Sequence, residues 1–588
     1  MKKYLIAIGG ATVMLLGSCK KNLLDTNPYS QLATENMWTS DNLTDLGVNG
    51  IYNALRLGIA TGSPSGLEIY QYDRFGLTGI TRDAEGLMTG TATPGNSLFS
   101  SNWQNLYEGI IRANDAITNI PLKSPSTTEK KAKLVAEAKF LRAYFYFRLN
   151  QLWKGVPIYL TPTRYDQFTK PRSTEQEVWA AVIQDLTDCI NEPNLPDRYA
   201  KANASYGKVT KGAAYALRGK VYMYTKEWDK AIADFSSVKN LGYTLFANYI
   251  QLFKEANEQC DEMIFSLQNT GVDGLGSTTQ WYCGNRSSFG SCWNNYMVSP
   301  SLVDLYENAD GSKFNWDNVI PGYSGMTPLA RQVYFLRDNL STTEYNAAAA
   351  RGADMTKYLT TGNEARLLQA YTNRDPRLAA NVITPYATYN GVLGANNQAV
   401  VSRFPYRTSN SPTFDLQTDT QTFLYYLYRK FVYENNNELL NRGYGPIDLP
   451  IIRYADILLM WAEALNEKSD VGGAILKVNE VRTRAGMPGL QQSNPALGTY
   501  VPNQLDMTER IRNERRIEFP NEGINYFDEL RWKSWKTIVF KTGNGVQQAW
   551  GQNTVTYTYG GDYLYAWPIP QTERERNPSL TQNDGWPQ

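Results

Sequence analysis

The stretch TTQWYCGNRSSFGSCWNNYMVSPS, residues 278 to 301, gathers residue types that grip a ligand without reacting with it. It holds Trp281, Tyr282, Phe289, Trp293 and Tyr296 beside Asn285, Arg286, Asn294 and Asn295. A sugar ring offers an apolar CH face and a rim of hydroxyls. A flat aromatic side chain covers the first, and amide or guanidinium groups meet the second. Asn suits the rim because one side chain both donates and accepts. Trp and Tyr add rigid area with a polar tip. The same rings also pack loops against a frame, so no single one is decisive; at least two are expected to touch ligand.

Reactive chemistry finds little support. The 588 residues include no histidine. That excludes a Ser-His-Asp or Cys-His nucleophile and His-ligated zinc, and it removes the commonest general base near neutral pH. Asp456 and Glu463, or Glu514 and Glu518, could form a glycosidase pair, which needs a defined carboxylate separation. ERIRNERRIEF, however, interleaves acids and bases at helical spacing, and ion-paired helix faces account for it. GVDGLG (Gly271 to Gly276) has the wrong glycine order for a nucleotide loop and reads as a turn. An Asp/Asn-rich loop could hold calcium, but no EF-hand spacing marks such a site. No cofactor and no metal is expected, and the chain reads as a binding protein rather than an enzyme.

Cys19 has a different use. Lys2 and Lys3 open the chain, Tyr4 to Leu16 carries no charge, and Gly17 and Ser18 are small. This is the layout of an export signal, with an apolar run too short to span a bilayer. A cysteine at the cut can carry a lipid through a thioether, and Leu16-Gly17-Ser18-Cys19 resembles a bacterial lipobox. Residues 1–18 are therefore expected to be a signal peptide and Cys19 the acylated first residue of the mature chain. More than one acyl chain makes such an anchor stable. Of the other cysteines, Cys189 reads as a small buried apolar residue. Cys283 and Cys292 flank a Gly/Ser/Asn-rich segment and could bridge in an oxidising compartment.

The elements that must position the rings read as helices. Ser126-x-x-Glu129 predicts a capping box, opening a helix whose Leu134, Ala138, Leu141, Phe145, Leu149 and Leu152 share a face until Gly155 and Pro157 stop it. The next helix starts at Ser173-x-x-Gln176 or Thr174-x-x-Glu177; the pattern allows both. Gly219, Ala231, Phe235 and Val238 fit the order of small and aromatic residues in a tetratricopeptide hairpin. Ile451, Ala455, Leu458, Ala462 and Leu465 form one further stripe, and Ala474, Val478, Val481 and Ala485 another. Trp153, Trp461 and Trp532 fall in helices and are assigned to the core. Residues 268–445 are irregular and rich in Gly, Asn, Ser, Thr and aromatics. A loop region this long is functional or disordered, and its aromatic density argues against disorder.

Composition bounds the partners. With 58 basic and 57 acidic residues the net charge is +1, which gives no case for nucleic acid or for a polybasic membrane surface. The 40 Tyr, 20 Phe and 14 Trp suit a recognition surface.

Several segments together resemble the SusD/RagB family of outer-membrane nutrient-binding lipoproteins. They are YAWPIPQTERERNPSLTQNDGW, ERIRNERRIEFPNEGINYFDELRW, IIRYADILLMWAEALNE, VNEVRTRAGMP, AEAKFLRAYFYFRLNQLWKGVPIYLTP and SPSLVDLYENADG, with NLLDTNP after the lipidated start. They span nearly the whole mature chain. The resemblance implies a mainly all-α SusD-like fold, in which tetratricopeptide-like hairpins form an α/α superhelical scaffold with long irregular loops. It implies one domain over 19–588, with scaffold at about 40–265 and 446–540 and a ligand-binding region at about 268–445. It further implies a non-enzymatic lipoprotein on the surface of a Gram-negative outer membrane, lying over a SusC-like TonB-dependent barrel. Oligosaccharide is the implied ligand, with peptide as the alternative and a surface glycosidase as the third. Within the family, binding aromatics come from the loop leading into SPSLVDLYENADG, which puts Trp293 and Tyr296 first. Trp316 follows in the next loop, and Asn96, Phe99 and Asn102 from TATPGNSLFSSNW are secondary candidates.

Overall fold

Helix α1 (Asp41–Asn53) packs on α2 (Ser97–Lys123) and α3 (Thr128–Trp153). From there the frame runs in chain order through α4 (Glu175–Asn191), α5 (Lys211–Thr225) and α6 (Trp228–Asn240), each packed on the one before. It resumes with α7 (Tyr454–Glu467), α8 (Val471–Arg484) and α9 (Gln504–Glu518), and α6 packs directly on α7. The structure, a computed structural model, describes residues 37–57, 68–393, 396–407, 415–419, 423–434 and 441–587. Cys19 and the expected export segment lie outside these.

The fold is mainly α-helical, as expected, and its packing follows from small residues at crossings. A Cβ on Gly109 of α2 would lie 2.4 Å from the Phe145 ring of α3, and one on Gly219 of α5 would lie 2.5 Å from Phe235 of α6. Glycine there lets each helix pair close onto a ring. The predicted α3 stripe is buried throughout, but the helix is buried on its other sides too, because α2, α4 and the C-terminal segment enclose it. That segment places Trp567 edge-on to Trp153 at 5.4 Å and to Phe99 at 5.1 Å.

Three local expectations need correction or resolution. The α3 cap is Thr127, whose hydroxyl accepts from Lys130 N at 3.2 Å, not Ser126. Ser126 is drawn inward, where its hydroxyl donates to Asp41 at 2.5 Å. Thr174 and Glu177 form the capping box of α4, which resolves the two registers. Ile451 belongs to a strand rather than the α7 stripe. Leu449–Arg453 pairs antiparallel with Met263–Leu267, and the helix starts only at Tyr454.

The loop-rich half has its own core, including Tyr306, Phe335, Tyr389 and Trp550. Short two-stranded antiparallel pairs stitch it together, among them β1 (Gly79–Thr81) with β3 (Tyr296–Val298), and β2 (Met263–Leu267) with β4 (Leu449–Arg453). Gly271–Gly276 is a turn. Trp153 and Trp461 are buried. Trp532 is not core: it is partly exposed, its Nε1 donates to Glu463 at 3.1 Å, and Arg512, Arg516 and Arg531 lie near its ring at 5.2, 5.7 and 5.5 Å. Cys189 is fully buried. Cys283 and Cys292 are buried free thiols, not a bridge.

Buried charges join the two halves. Arg453 pairs with Glu262, Glu518 and Glu522, each at 2.8 Å. Arg377, from the loop-rich half, pairs with Asp375, Glu514 and Glu518 at 2.7, 2.7 and 2.9 Å. Lys430 reaches Glu522 at 2.5 Å, and Arg482 reaches Glu307 and Glu514. Every one of these side chains is under a tenth exposed. Mutual pairing is what makes such burial tolerable.

Candidate ligand-binding site

The ring cluster is built on a short helical turn, Thr279–Cys283, and a returning segment. Backbone bonds zip the two: Trp293 N to Trp281 O at 2.9 Å, Asn294 N to Gly284 O at 2.7 Å, and Asn295 N to Tyr282 O at 2.7 Å. The return requires left-handed backbone at Ser291 and Asn294, with φ of 54° and 40°, which Asn tolerates better than most residues. Trp281 and Trp293 are thereby held edge-to-face, centroids 5.0 Å apart at 67°. Tyr282 stacks behind Trp281 at 5.9 Å and 18°. Trp281, Trp293 and Tyr296 are partly exposed, as is Phe289 beside them. The rings interlock at steep angles rather than forming one flat arc.

Strand pairing brings in the rest. In the β1–β3 register Thr81 faces Tyr296, so Arg82 arrives beside Asn295, donating from its N to Asn295 O at 3.1 Å and from Nη2 to Asn295 Oδ1 at 2.6 Å. Arg74 Nη1 donates to the Tyr296 hydroxyl at 2.7 Å. Burial pushes the Tyr296 hydroxyl up to about 12 against the pull of Arg74, so it stays protonated. Arg82 and Arg286 both pair with Asp419. The Arg442 guanidinium lies 4.9 Å from the Trp281 ring centre and 5.9 Å from that of Trp293.

The structure therefore unites Trp281, Trp293, Tyr296, Asn295 and Arg286, and corrects several other expectations. Tyr282, Asn285 and Asn294 are buried at 3%, 0% and 2% exposure. Asn285 Oδ1 accepts from Ser287 N at 2.9 Å, and Asn294 Oδ1 accepts from Asp419 N at 3.3 Å; both hold the loop from inside. Trp316 joins a separate ring group, stacked on Tyr323 at 4.5 Å and 20° with its Nε1 on Asp304. Asn102 is buried, tied to Leu98 O and the Tyr72 hydroxyl. Phe99 is fully buried between Trp567 and Trp586. Asn96 is exposed, but its Oδ1 closes the local turn by accepting from Thr93 N at 2.7 Å. Arg82, Asp419 and Arg442 were missed: they come from loops far apart in the chain, and no spacing signals them.

The carboxylates first considered for catalysis are all engaged. Asp456 pairs with Lys220 and Arg515, Glu463 with Arg531, Glu514 with Arg377 and Arg482, and Glu518 with Arg377, Arg453 and Arg484. These pairs reach across elements rather than along one helix face. Burial alone would raise Asp456 and Glu518, but the facing cations outweigh it and hold both carboxyls below the usual range. A cavity of about 990 Å³ lies between Ile250–Ala256 and Arg429–Glu434, and one of about 640 Å³ is walled by Trp103, Tyr107, Tyr159 and Phe168. Neither is lined by the ring cluster.

Comparison with known proteins bears on this geometry. The chain is 23% identical to SusD-like protein P25 of Formosa agariphila, covering 97% of each chain. It is 23% identical to starch-binding protein SusD of Bacteroides thetaiotaomicron, covering 77% of this chain and 72% of that one. A solved SusD-like carbohydrate-binding protein of Bacteroides fragilis superposes with a TM-score of 0.72 at 22% identity, over 93% of this chain and 100% of that one. A laminarin-binding SusD-like protein superposes with a TM-score of 0.63 at 21% identity, over 93% of this chain and 100% of that one. Residues 22–223 match a family described as starch-binding associating with outer membrane. Residues 261–586, more than half of the sequence and including the ring cluster, match the SusD family model, and the chain belongs to the SusD family.

Proposed function

We propose that this protein is a non-catalytic, lipid-anchored binder of oligosaccharide at the outer face of a bacterial outer membrane, delivering its ligand to a SusC-like TonB-dependent barrel. In this reading the mature chain, 19–588, is one domain and Cys19 carries the anchor. The observation that carries it is the partly exposed Trp281–Trp293–Tyr296 cluster, with Asn295, Arg82, Arg286 and Arg442 at its edge. Apolar ring faces beside fixed donors match a sugar's CH face and hydroxyl rim. Relatives named for starch and laminarin binding support the ligand class. The engagement of every considered carboxylate in an ion pair supports the absence of turnover. A peptide ligand would call for a deep slot, and neither of the two cavities described above is lined by the ring cluster.

Calorimetry against a panel of oligosaccharides tests this. Trp281→Ala and Trp293→Ala should each weaken the bound member at least tenfold, a loss of about 1.4 kcal/mol or more. Unchanged affinity in both variants would remove the site.

A further inference from the structure

Around the rings the described charges do not balance. Arg74 is matched by Glu85 at 2.7 Å. Arg82 and Arg286 share a single carboxylate, that of Asp419. Arg442 has no carboxylate partner among the described residues; its Nη1 donates to the carbonyls of Gly290 and Ser291 at 2.7 and 2.5 Å. Asp83, next in the chain to Arg82, is exposed and forms no ion pair among the described residues. The bases also stand further out than the shared acid: the Arg82 and Arg286 side chains are 31% and 35% exposed against 12% for Asp419. Arg442, in turn, sits directly against the two tryptophans that form the platform.

A guanidinium fixed by carbonyls and a ring, with no carboxylate partner among the described residues, is set to take a planar or tetrahedral oxyanion through paired N–H donors. A neutral glycan would leave that charge unused. Building on the platform reading above, we infer that the natural ligand is an anionic oligosaccharide, bearing uronate carboxylates or sulfate esters. One sugar lies against Trp281 and Trp293 while its anion meets Arg442, with Arg286 and Arg82 extending the positive edge to a neighbouring residue of the glycan. Arg442 is the specificity-determining residue, and the aromatic pair supplies the part of the affinity that does not depend on charge.

The test uses the full mature chain and matched probes: oligogalacturonate, oligoguluronate and a sulfated galactan, each beside its carboxyl-reduced or desulfated counterpart. Uronate and sulfate members separate the two sources of anion. Binding of an acidic member at least tenfold tighter than its neutral counterpart is expected. Raising NaCl should weaken the acidic member and leave the neutral one unchanged, since only exposed charges are screened. Arg442→Gln should reduce the acidic affinity at least tenfold, and by a factor severalfold larger than its effect on the neutral counterpart, whose contact with the rings also loses the Arg442 side chain. Arg286→Gln, which leaves the Arg82–Asp419 pair in place, should reduce the acidic affinity severalfold and serves where the first variant misfolds. Equal binding of acidic and neutral partners, or no binding of any acidic member, overturns the inference. If neutral oligosaccharides then bind and the two Trp→Ala variants abolish that binding, the platform reading stands without it. If the Trp variants change nothing, both fall.

Discussion

Trp281 and Trp293 work as a surface because Tyr282 stacks behind one and Arg442 lies against both. At this scale the aromatic positions were legible, since five rings crowd one short stretch. Which side chains point inward was not: Asn285 and Asn294 look like ligand contacts in sequence, yet the loop's own backbone claims them. Single residues also set the pH behaviour. Asp456 and Glu518 are held below the usual carboxylate range, so their stabilisation is complete above their unfolded values near 4. It is lost as pH falls through their lower native values. Glu258 and Asp448 run the other way. Burial raises both, and Asp448 raises Glu258 further, so the native state holds protons that the unfolded chain has released. Their contribution declines as pH rises from about 4 through neutrality. Glu258→Gln keeps an acceptor for Asp448 N, now 2.7 Å away. It should raise the melting temperature at pH 8 relative to wild type and leave it unchanged at pH 4; a thermal melt at both values checks this.

Helices were legible where an apolar stripe coincides with a cap. Thr174 and Glu177 satisfy both conditions, and α4 begins there. The α7 stripe overran its helix because Ile451 and Ile452 have the right hydrophobicity but sit beside Pro450 in a strand, where β-branched residues pack well. Crossing points are where one methyl decides the outcome. Gly219→Ala gains about 1 kcal/mol of helix propensity but forces a Cβ to within 2.5 Å of Phe235. Overpacking of that kind costs about 1–3 kcal/mol, so the variant should melt below wild type. Adding Phe235→Leu should recover part of the loss, and differential scanning calorimetry of the single and double variants reads it.

The architecture as a whole was legible through the resemblance of segments spread along the chain, and the expected mainly helical class is what the structure has. Its internal wiring was not. ERIRNERRIEF suggested pairing along one helix, whereas Glu514 and Glu518 reach Arg377, Arg453, Arg482 and Arg484 on other elements; such partners lie too far apart in sequence for spacing to reveal. Arg453→Met would take one buried cation from Glu262, Glu518 and Glu522, leaving them to Arg484, Arg377 and Lys430. Breaking a buried pair from one side costs about 3–5 kcal/mol. The melting temperature should fall by several degrees with both halves lost in one transition, followed by circular dichroism together with tryptophan fluorescence.

The direct seat of α6 on α7 spans everything from Asn240 to Tyr454. A chain emerging from its N-terminus can stack α1 to α6 early, from neighbours in sequence. The seventh member arrives only after the entire ring-bearing half has been synthesised, and closing so distant a junction is slow. Until then the flank of α6 that α7 covers has no partner, so the expected order of assembly closes this junction last.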